Sequence, residues 1–432
     1  MKVVLLNTFS GGSGAAQSTR RLHLGLLGAG ISSTLLAAQH CGEGGGRGVE
    51  ILRPTIWQRL RELRWWEKRV LRPYRKTRNK DAVFSFNPMR MVKLDASAAF
   101  SDADIVQLNW VGWGMLTPEQ IGDIRKPLVW RLPDLWPLTG GCHYAGECRR
   151  YEEHCGACPL LGSSREKDAA SNLFKRKMSA WKNQRITFVA PSRWIADCVR
   201  RSALFLNGQN RVEIIPTGVD ALRMKLISRR EARQRLGLPE DGIFVVFGAD
   251  DAASPRKGLP LLLEACRIVT ERIKNTQLHL VVFGAGCEKV QFPPSLQVHT
   301  LGKLAPDKLN LAYAAGDLFA APSKEENLAN TVLEAMACGR PCLAFGVGGM
   351  PDAVIHGENG FLAEPFDTGS LAAGIEHITA DAGRWKQLSE NAREKVEKDF
   401  SLERQVLDYS KLYRDIIETH DKFKSWTRQI SL

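Results

Sequence analysis

Two glutamates, Glu326 and Glu334, are separated by seven residues, and two adjacent cations, Arg256 and Lys257, lie earlier in the chain. An ionised carboxylate accepts hydrogen bonds from two hydroxyls at once, which suits a sugar or a ribose. Glu326 precedes an expected short helix and Glu334 lies inside it, so the two could grip opposite ends of one extended ligand. The N-terminus of that helix, near Asn330 and Thr331, offers backbone N–H groups and a partial positive charge, a seat for a diphosphate. The run Arg256-Lys257-Gly258 before another helix suits the same group. A bare pair of glutamates at this spacing is more often two solvated helix charges, and a bare Arg-Lys pair a solvated turn. The surrounding residues decide between these readings.

The elements that must hold these side chains are legible around them. An apolar strand at 318–321 reaches a polar turn carrying Glu325, Glu326 and Asn327. A helix over about 329–338 follows, stopped by Gly339 with Pro341 just beyond. Residues 341–345 form a buried strand leading into Gly346-Val347-Gly348-Gly349 and a helix opened by Pro351. Strand, loop, helix, strand is the grammar of a doubly wound parallel sheet. Further apolar strands fall at 3–6, 34–38, 104–110, 126–132, 244–248, 278–283 and 298–301, and Ser192 caps a helix after a strand ending at Ala190. A loop with Gly11, Gly12 and Gly14 joins the first strand to its helix, but Gln17 stands where a dinucleotide fingerprint has its third glycine.

The whole stretch 321–362 resembles the donor-binding signature of group 1 (family 4) glycosyltransferases. Pro322-Ser323, Glu326, Glu334-Ala335-Met336-Ala337-Cys338-Gly339, Pro341, Gly348-Gly349-Met350-Pro351-Asp352 and the run 357–362 appear in the family's order. Ala329 departs from a common glycine. Asp134, Trp136, Pro137 and Thr139 to Tyr144 resemble the colanic-acid, exopolysaccharide-building branch, although Pro133 and Asn109 stand where its members often carry His. The resemblance implies an α/β chain of the GT-B class: two Rossmann-like domains facing across a cleft, with a C-terminal helix crossing back to the first. Domain limits are set at 1–212 for the acceptor domain, 213–400 for the donor domain and 401–432 for the crossing helix. It implies transfer of a hexose from a nucleoside-diphosphate sugar to a saccharide acceptor, such as one on polyprenyl diphosphate, in cell-surface polysaccharide assembly. It implies retention of configuration and no cofactor requirement for catalysis. Glu334 would hold the ribose, Glu326 the transferred sugar, Arg256 and Lys257 the diphosphate, with Asn330 and Thr331 assisting. Gly302 would border the nucleobase, Gly12 would lie beside the phosphates or the acceptor, and Asp134 and Trp136 would lie on the acceptor side. An epimerase or phosphorylase on the same fold, and a non-catalytic scaffold, are the competing readings.

At 432 residues the chain is long enough for two cores, and 44% apolar with 25% charged residues is ordinary for a globular protein. No apolar run reaches the length of a membrane span, and the first strand is too short for a signal peptide. The expected location is therefore cytoplasmic, with a peripheral place on the cytoplasmic face of the inner membrane as the further expectation if the basic segment at 53–80 meets lipid. A net charge of +13 favours an anionic partner. Residues 53–80 hold eleven Lys or Arg and two Glu, interleaved with Trp57, Leu60, Leu63, Trp65, Trp66, Val70 and Leu71. A basic helix bearing tryptophan suits an anionic membrane surface, and equally a helix that packs its tryptophans on its own domain; no nucleic-acid motif accompanies the charge. In the loop 132–162, Cys142, Cys148, Cys155 and Cys158 follow a C-x5-C-x6-C-x2-C spacing, with His143 and His154 as alternates. Only the last pair has the tight spacing of zinc ligands; a structural zinc or a set of reduced thiols both fit.

Overall fold

Parallel strands buried on both faces read as continuous apolar runs, and this chain supplies two sets of them. The structure, a computed structural model, describes residues 1–41, 46–52, 64–206, 210–273 and 276–430. The first set comprises β1 (Lys2–Phe9), β2 (Ser32–Gln39), β3 (Val49–Ile51), β4 (Ile105–Leu108), β5 (Leu128–Arg131), β6 (Ile186–Ala190) and β7 (Arg211–Ile214). They form one parallel sheet in the order β3-β2-β1-β4-β5-β6-β7. The second set is β8 (Ile243–Asp251), β9 (Leu278–Ala285), β10 (Gln297–Gly302), β11 (Leu318–Ala321), β12 (Cys342–Phe345) and β13 (Gly360–Ala363), in the order β10-β9-β8-β11-β12-β13. It too is parallel throughout. Each order reverses once, between β1 and β4 in the first sheet and between β8 and β11 in the second. Ligands of open α/β sheets bind at such reversals, beyond the carboxyl ends of the strands.

The chain divides into two units, 1–216 together with 405–432, and 217–404. The last helix, Leu402–Ile430, thus starts in the second unit and from Gln405 belongs to the first. There Tyr409 and Tyr413 are fully buried, and Tyr413 pairs through its hydroxyl with Gln107 on β4. The two-residue period of a strand sorts the second sheet's side chains onto opposite faces. Phe244, Val246, Val281, Phe319 and Ala344 fill one core, and Val245, Phe247, Val282, Leu318 and Phe345 the other. Helix starts follow the sequence closely. Ser192 accepts the N–H of Ile195 at the helix Arg193–Arg201, and Ser228 that of Glu231 at Arg229–Leu236.

The tryptophan-rich segment is described only in part. Residues 53–63, with Trp57, Leu60 and Leu63, lie outside the described residues. Arg64–Leu71 is a helix tied to the first unit by Glu67, whose carboxylate accepts the N–H groups of Phe86 (2.7 Å) and Asn87 (2.8 Å). Val70, Leu71 and Tyr74 pack on that unit's core, while Lys68, Arg69, Arg72, Arg75 and Lys76 are exposed. Among the described residues no helix is long and apolar enough to cross a membrane.

Candidate functional site

The reversal in the second sheet brings together residues that the sequence keeps about seventy apart. The loop after β8 carries Arg256 and Lys257; the loop after the neighbouring β11 carries Glu326. One oxygen of Glu326 accepts from both Arg256 Nη1 (2.9 Å) and Lys257 Nζ (2.5 Å). Arg256 Nη1 also donates to the carbonyl of Glu325 (2.8 Å), and the carbonyl of Arg256 accepts the N–H of Lys324 (2.8 Å). Burial by itself would raise the Glu326 pKa, but Lys257 and Arg256 outweigh it and hold the carboxyl at about 2. All three side chains are mostly covered, 12% exposed for Glu326, 23% for Arg256 and 19% for Lys257, so solvent screens them weakly.

Two glycines let these loops close. Gly258 has φ +75°, and a Cβ there would stand 1.8 Å from the carbonyl oxygen of Pro322. Gly348 has φ +56°, and a Cβ there would stand 1.9 Å from the carbonyl oxygen of Glu326, which also accepts the N–H of Gly349 at 3.1 Å. The loop after β12 therefore braces the backbone of Glu326 from the side opposite its cations' loop in the chain.

Glu334 lies half-buried on the helix Asn330–Ala337, one turn beyond Asn330. Ala329 leaves the start of that helix without a side-chain cap. The buried Tyr313 donates its hydroxyl to Glu334 Oε2 at 2.9 Å. Sequence reasoning did not find Tyr313, because it lies on the separate helix Pro306–Ala315 and belongs to no motif. Gly302 ends β10 with φ +61°, paired in register with Phe283. The Phe283 ring stands edge-on to that of Tyr313, with centroids 5.3 Å apart.

The first unit holds the remaining expected residues. Gly12 is exposed just beyond β1, at that sheet's reversal, with φ +86°. Asp134 and Trp136, expected on the acceptor side, are 4% and 2% exposed and present no surface to a saccharide. Asp134 Oδ2 meets His143 Nδ1 at 2.7 Å and accepts from Trp110 Nε1 at 2.9 Å; its Oδ1 accepts the N–H of Trp136 at 2.9 Å. His143 Nε2 is 2.7 Å from Ser85 Oγ, which accepts the N–H of Trp113. A buried carboxylate must be hydrogen-bonded, and this chain of Asp134, His143 and Ser85 satisfies it while fixing the loops after β4 and β5. The sequence had marked His143 only as an alternate metal ligand. A polar residue following a buried strand, with an imidazole nine positions on, was the available signal.

Cys142, Cys148, Cys155 and Cys158 line one cavity with Phe84, Tyr151 and Leu160. Among the described residues no group of three or more His, Cys, Asp or Glu side chains is arranged to hold a metal ion. Burial pushes the Cys142 and Cys158 thiols up and that of Cys155 to about 12. Under the same loop the buried Lys177 donates to the carbonyls of Trp136 and Thr139 (2.9 Å to the latter) and lies 3.9 Å over the Trp136 ring.

Comparison with known proteins places this geometry. The D-inositol 3-phosphate glycosyltransferase of Rhodococcus jostii is 31% identical over 207 residues, 45% of this chain and 45% of that protein. The N-acetyl-alpha-D-glucosaminyl L-malate synthase of Bacillus anthracis is 33% identical over 158 residues, 35% of this chain and 40% of that protein. The chain thus spans about half the length of the curated relatives it matches. Among solved structures, sucrose-phosphate synthase from Thermosynechococcus elongatus superposes with a TM-score of 0.69 at 18% identity, over 97% of this chain and 100% of that one. Anabaena HepE, solved with UDP-glucose, superposes with a TM-score of 0.63 at 18% identity, over 98% and 100%. The architecture of two parallel-sheet α/β units is therefore GT-B, and residues 242–381, the stretch that holds Arg256, Lys257, Glu326 and Glu334, match the family profile described as glycosyl transferases group 1.

Proposed function

We propose that the protein transfers a hexose from a nucleoside-diphosphate sugar to a saccharide acceptor, with retention of configuration and without a metal cofactor. The observation that carries this reading is the cluster of Arg256, Lys257 and Glu326 at the reversal of the second sheet. Arg256 and Lys257 stabilise the charge that develops on the leaving diphosphate, the electrostatic part of the barrier that fixed cations lower most. The uncapped N-terminus of the helix Asn330–Ala337 adds backbone donors near Asn330 and Thr331. Glu334, oriented by Tyr313, accepts from the two ribose hydroxyls. Glu326 accepts from hydroxyls of the transferred sugar. The leaving phosphate itself takes the acceptor's proton as the new glycosidic bond forms and the bond to the diphosphate breaks. Matching relatives are named as sugar-transferring enzymes, and a neighbour in fold was solved with UDP-glucose, which supports a nucleotide-sugar donor.

The experiment is thermal stabilisation by UDP, GDP, ADP and TDP, with Glu334→Ala alongside. A ligand at a hundred times its dissociation constant adds about 2.7 kcal/mol. One nucleotide should raise the melting temperature of the wild type, and the variant should lose most of that rise. No rise with any of the four at millimolar concentration sinks the reading.

The acceptor side is a finer proposal: a saccharide carried on polyprenyl diphosphate at an anionic membrane, in cell-surface polysaccharide assembly. Its support is the exposed row Lys68, Arg69, Arg72, Arg75 and Lys76 beside the half-buried Trp65 and Trp66. Co-sedimentation with phosphatidylglycerol vesicles, lost on exchanging these cations for glutamine, is the test. Equal sedimentation of the variant counts against it.

A further inference from the structure

The cations expected to hold a diphosphate already hold a carboxylate. A single oxygen of Glu326 takes Arg256 Nη1 at 2.9 Å and Lys257 Nζ at 2.5 Å. The arrangement is fixed from outside the trio. Gly348 and Gly349 brace the Glu326 carbonyl, Gly258 packs its turn against Pro322, and Arg256 is anchored to the carbonyl of Glu325. The cluster's formal charge is therefore +1 rather than the +2 of the bare cation pair.

We infer that Glu326 is a built-in competitor for the diphosphate and thereby sets the preference of the site for intact donor over spent nucleotide. The inference rests on the donor-site reading above. An incoming diphosphate repels the carboxylate and seeks the same two cations. A carboxylate that leaves both cations must find other donors, since a mostly covered anion without partners is unfavourable. With an intact nucleotide sugar, the hydroxyls of the hexose supply them, and the exchange is balanced: the cations pass to the diphosphate, the carboxylate to the sugar. With the nucleoside diphosphate alone, no hydroxyl stands at that end of the ligand. Glu326 then stays on its cations and weakens their hold on the phosphates. Once the sugar has left for the acceptor, the returning carboxylate helps expel the nucleotide. Specificity here comes from an element that acts against the wrong ligand as well as from contacts to the right one.

The test is titration calorimetry of wild type, Glu326→Gln and Glu326→Asp. The probes are inorganic pyrophosphate, the four nucleoside diphosphates, and UDP-glucose with GDP-, ADP- and TDP-glucose. Glu326→Gln removes the competing charge, so pyrophosphate and the cognate nucleotide should each bind about tenfold tighter. Its preference for nucleotide sugar over nucleotide should shrink by a similar factor. Glu326→Asp, whose shorter side chain draws back from the cations, should fall between. The Gln variant should also melt lower than wild type without anion and be stabilised more by pyrophosphate. Equal or weaker pyrophosphate binding by both variants, once melting curves show them folded, overturns the inference. If no nucleotide binds the wild type but pyrophosphate binds the Gln variant more tightly, the donor reading fails and the competitor role stands. If pyrophosphate binds none of the three proteins while a nucleotide binds, the competitor inference fails and the donor reading stands; if neither pyrophosphate nor any nucleotide binds, both fail.

Discussion

Glu326 owes its ionised state to two cations that outweigh its burial, and this has a pH signature. Its folded pKa of about 2 lies below the ordinary 4.5, so its contribution to stability is complete above pH 4.5 and is lost as pH falls towards 2. The stability gap between wild type and Glu326→Gln, from urea unfolding, should be constant from pH 7 to 5 and shrink steadily below 4.5. A gap that does not change down to pH 3 would show that the ion pair is not formed as described. Tyr313 offers a second residue-level check. Its hydroxyl is the donor that orients Glu334 Oε2, and removing one hydrogen bond to a charged group costs about 1.5 kcal/mol. Tyr313→Phe should therefore weaken binding of the cognate nucleotide by about tenfold in calorimetry. An unchanged affinity would mean that Glu334 needs no help in facing its ligand.

At the scale of elements, the site depends on loops that approach more closely than any side chain allows. Gly258→Ala and Gly348→Ala each place a methyl within 2 Å of a carbonyl oxygen and at a positive φ. Each should lower unfolding free energy by about 2 kcal/mol or more in denaturant titration. Gly302→Ala, also at positive φ but with open space around its Cβ, should cost about 1 kcal/mol. Equal losses at all three positions would show that backbone strain alone, and not loop contact, sets the requirement. In the first unit, the helix Ala169–Trp181 supports the loop around Trp136 through Lys177. Burial lowers the Lys177 pKa to about 7, against the raising influence of Cys155, Cys142 and Asp134. Between about pH 7 and 10.5 the unfolded chain holds this proton and the folded one does not, so stability should rise with pH across that window. Lys177→Met should flatten the rise, measured as the urea midpoint from pH 7 to 9.5.

At the scale of the molecule, the last helix belongs to both units. It begins at Leu402 beside the second unit, then lays Val406, Tyr409, Leu412 and Tyr413 into the first. A chain ending at Arg404 would uncover those contacts and leave Gln107 without the hydroxyl of Tyr413. Calorimetry of that truncated chain should lose the cooperative transition of the first unit. The transition that responds to nucleotide, belonging to 217–404, should remain. Loss of both transitions would show that the units do not fold separately.

Much of the fold was legible because the relevant signals are local. The strand ending at Ala321, the helix stop at Gly339 and the strand into Phe345 are set by apolar runs and by glycine and proline within a few residues. Glu326, Glu334, Arg256 and Lys257 stood out through the resemblance of their surroundings to a donor-binding signature, and the structure brings Glu326 onto Arg256 and Lys257. Three edge strands, β3, β7 and β13, escaped notice because they are only partly buried and lack the continuous apolar run of the equally short central strands β4, β5, β11 and β12. The boundary between units falls at 216/217, a few residues beyond the expected 212/213, because β7 still pairs with β6 as far as Ile214. Only the tertiary structure decided who meets whom. That the anion on Arg256 and Lys257 is Glu326, that Tyr313 orients Glu334, and that Asp134 turns inward to His143 all depend on which strands become neighbours. Strand order is a long-range property: β8 adjoins β11 rather than β10. Residue types fixed what chemistry was available, and the packing of two parallel sheets chose the partners.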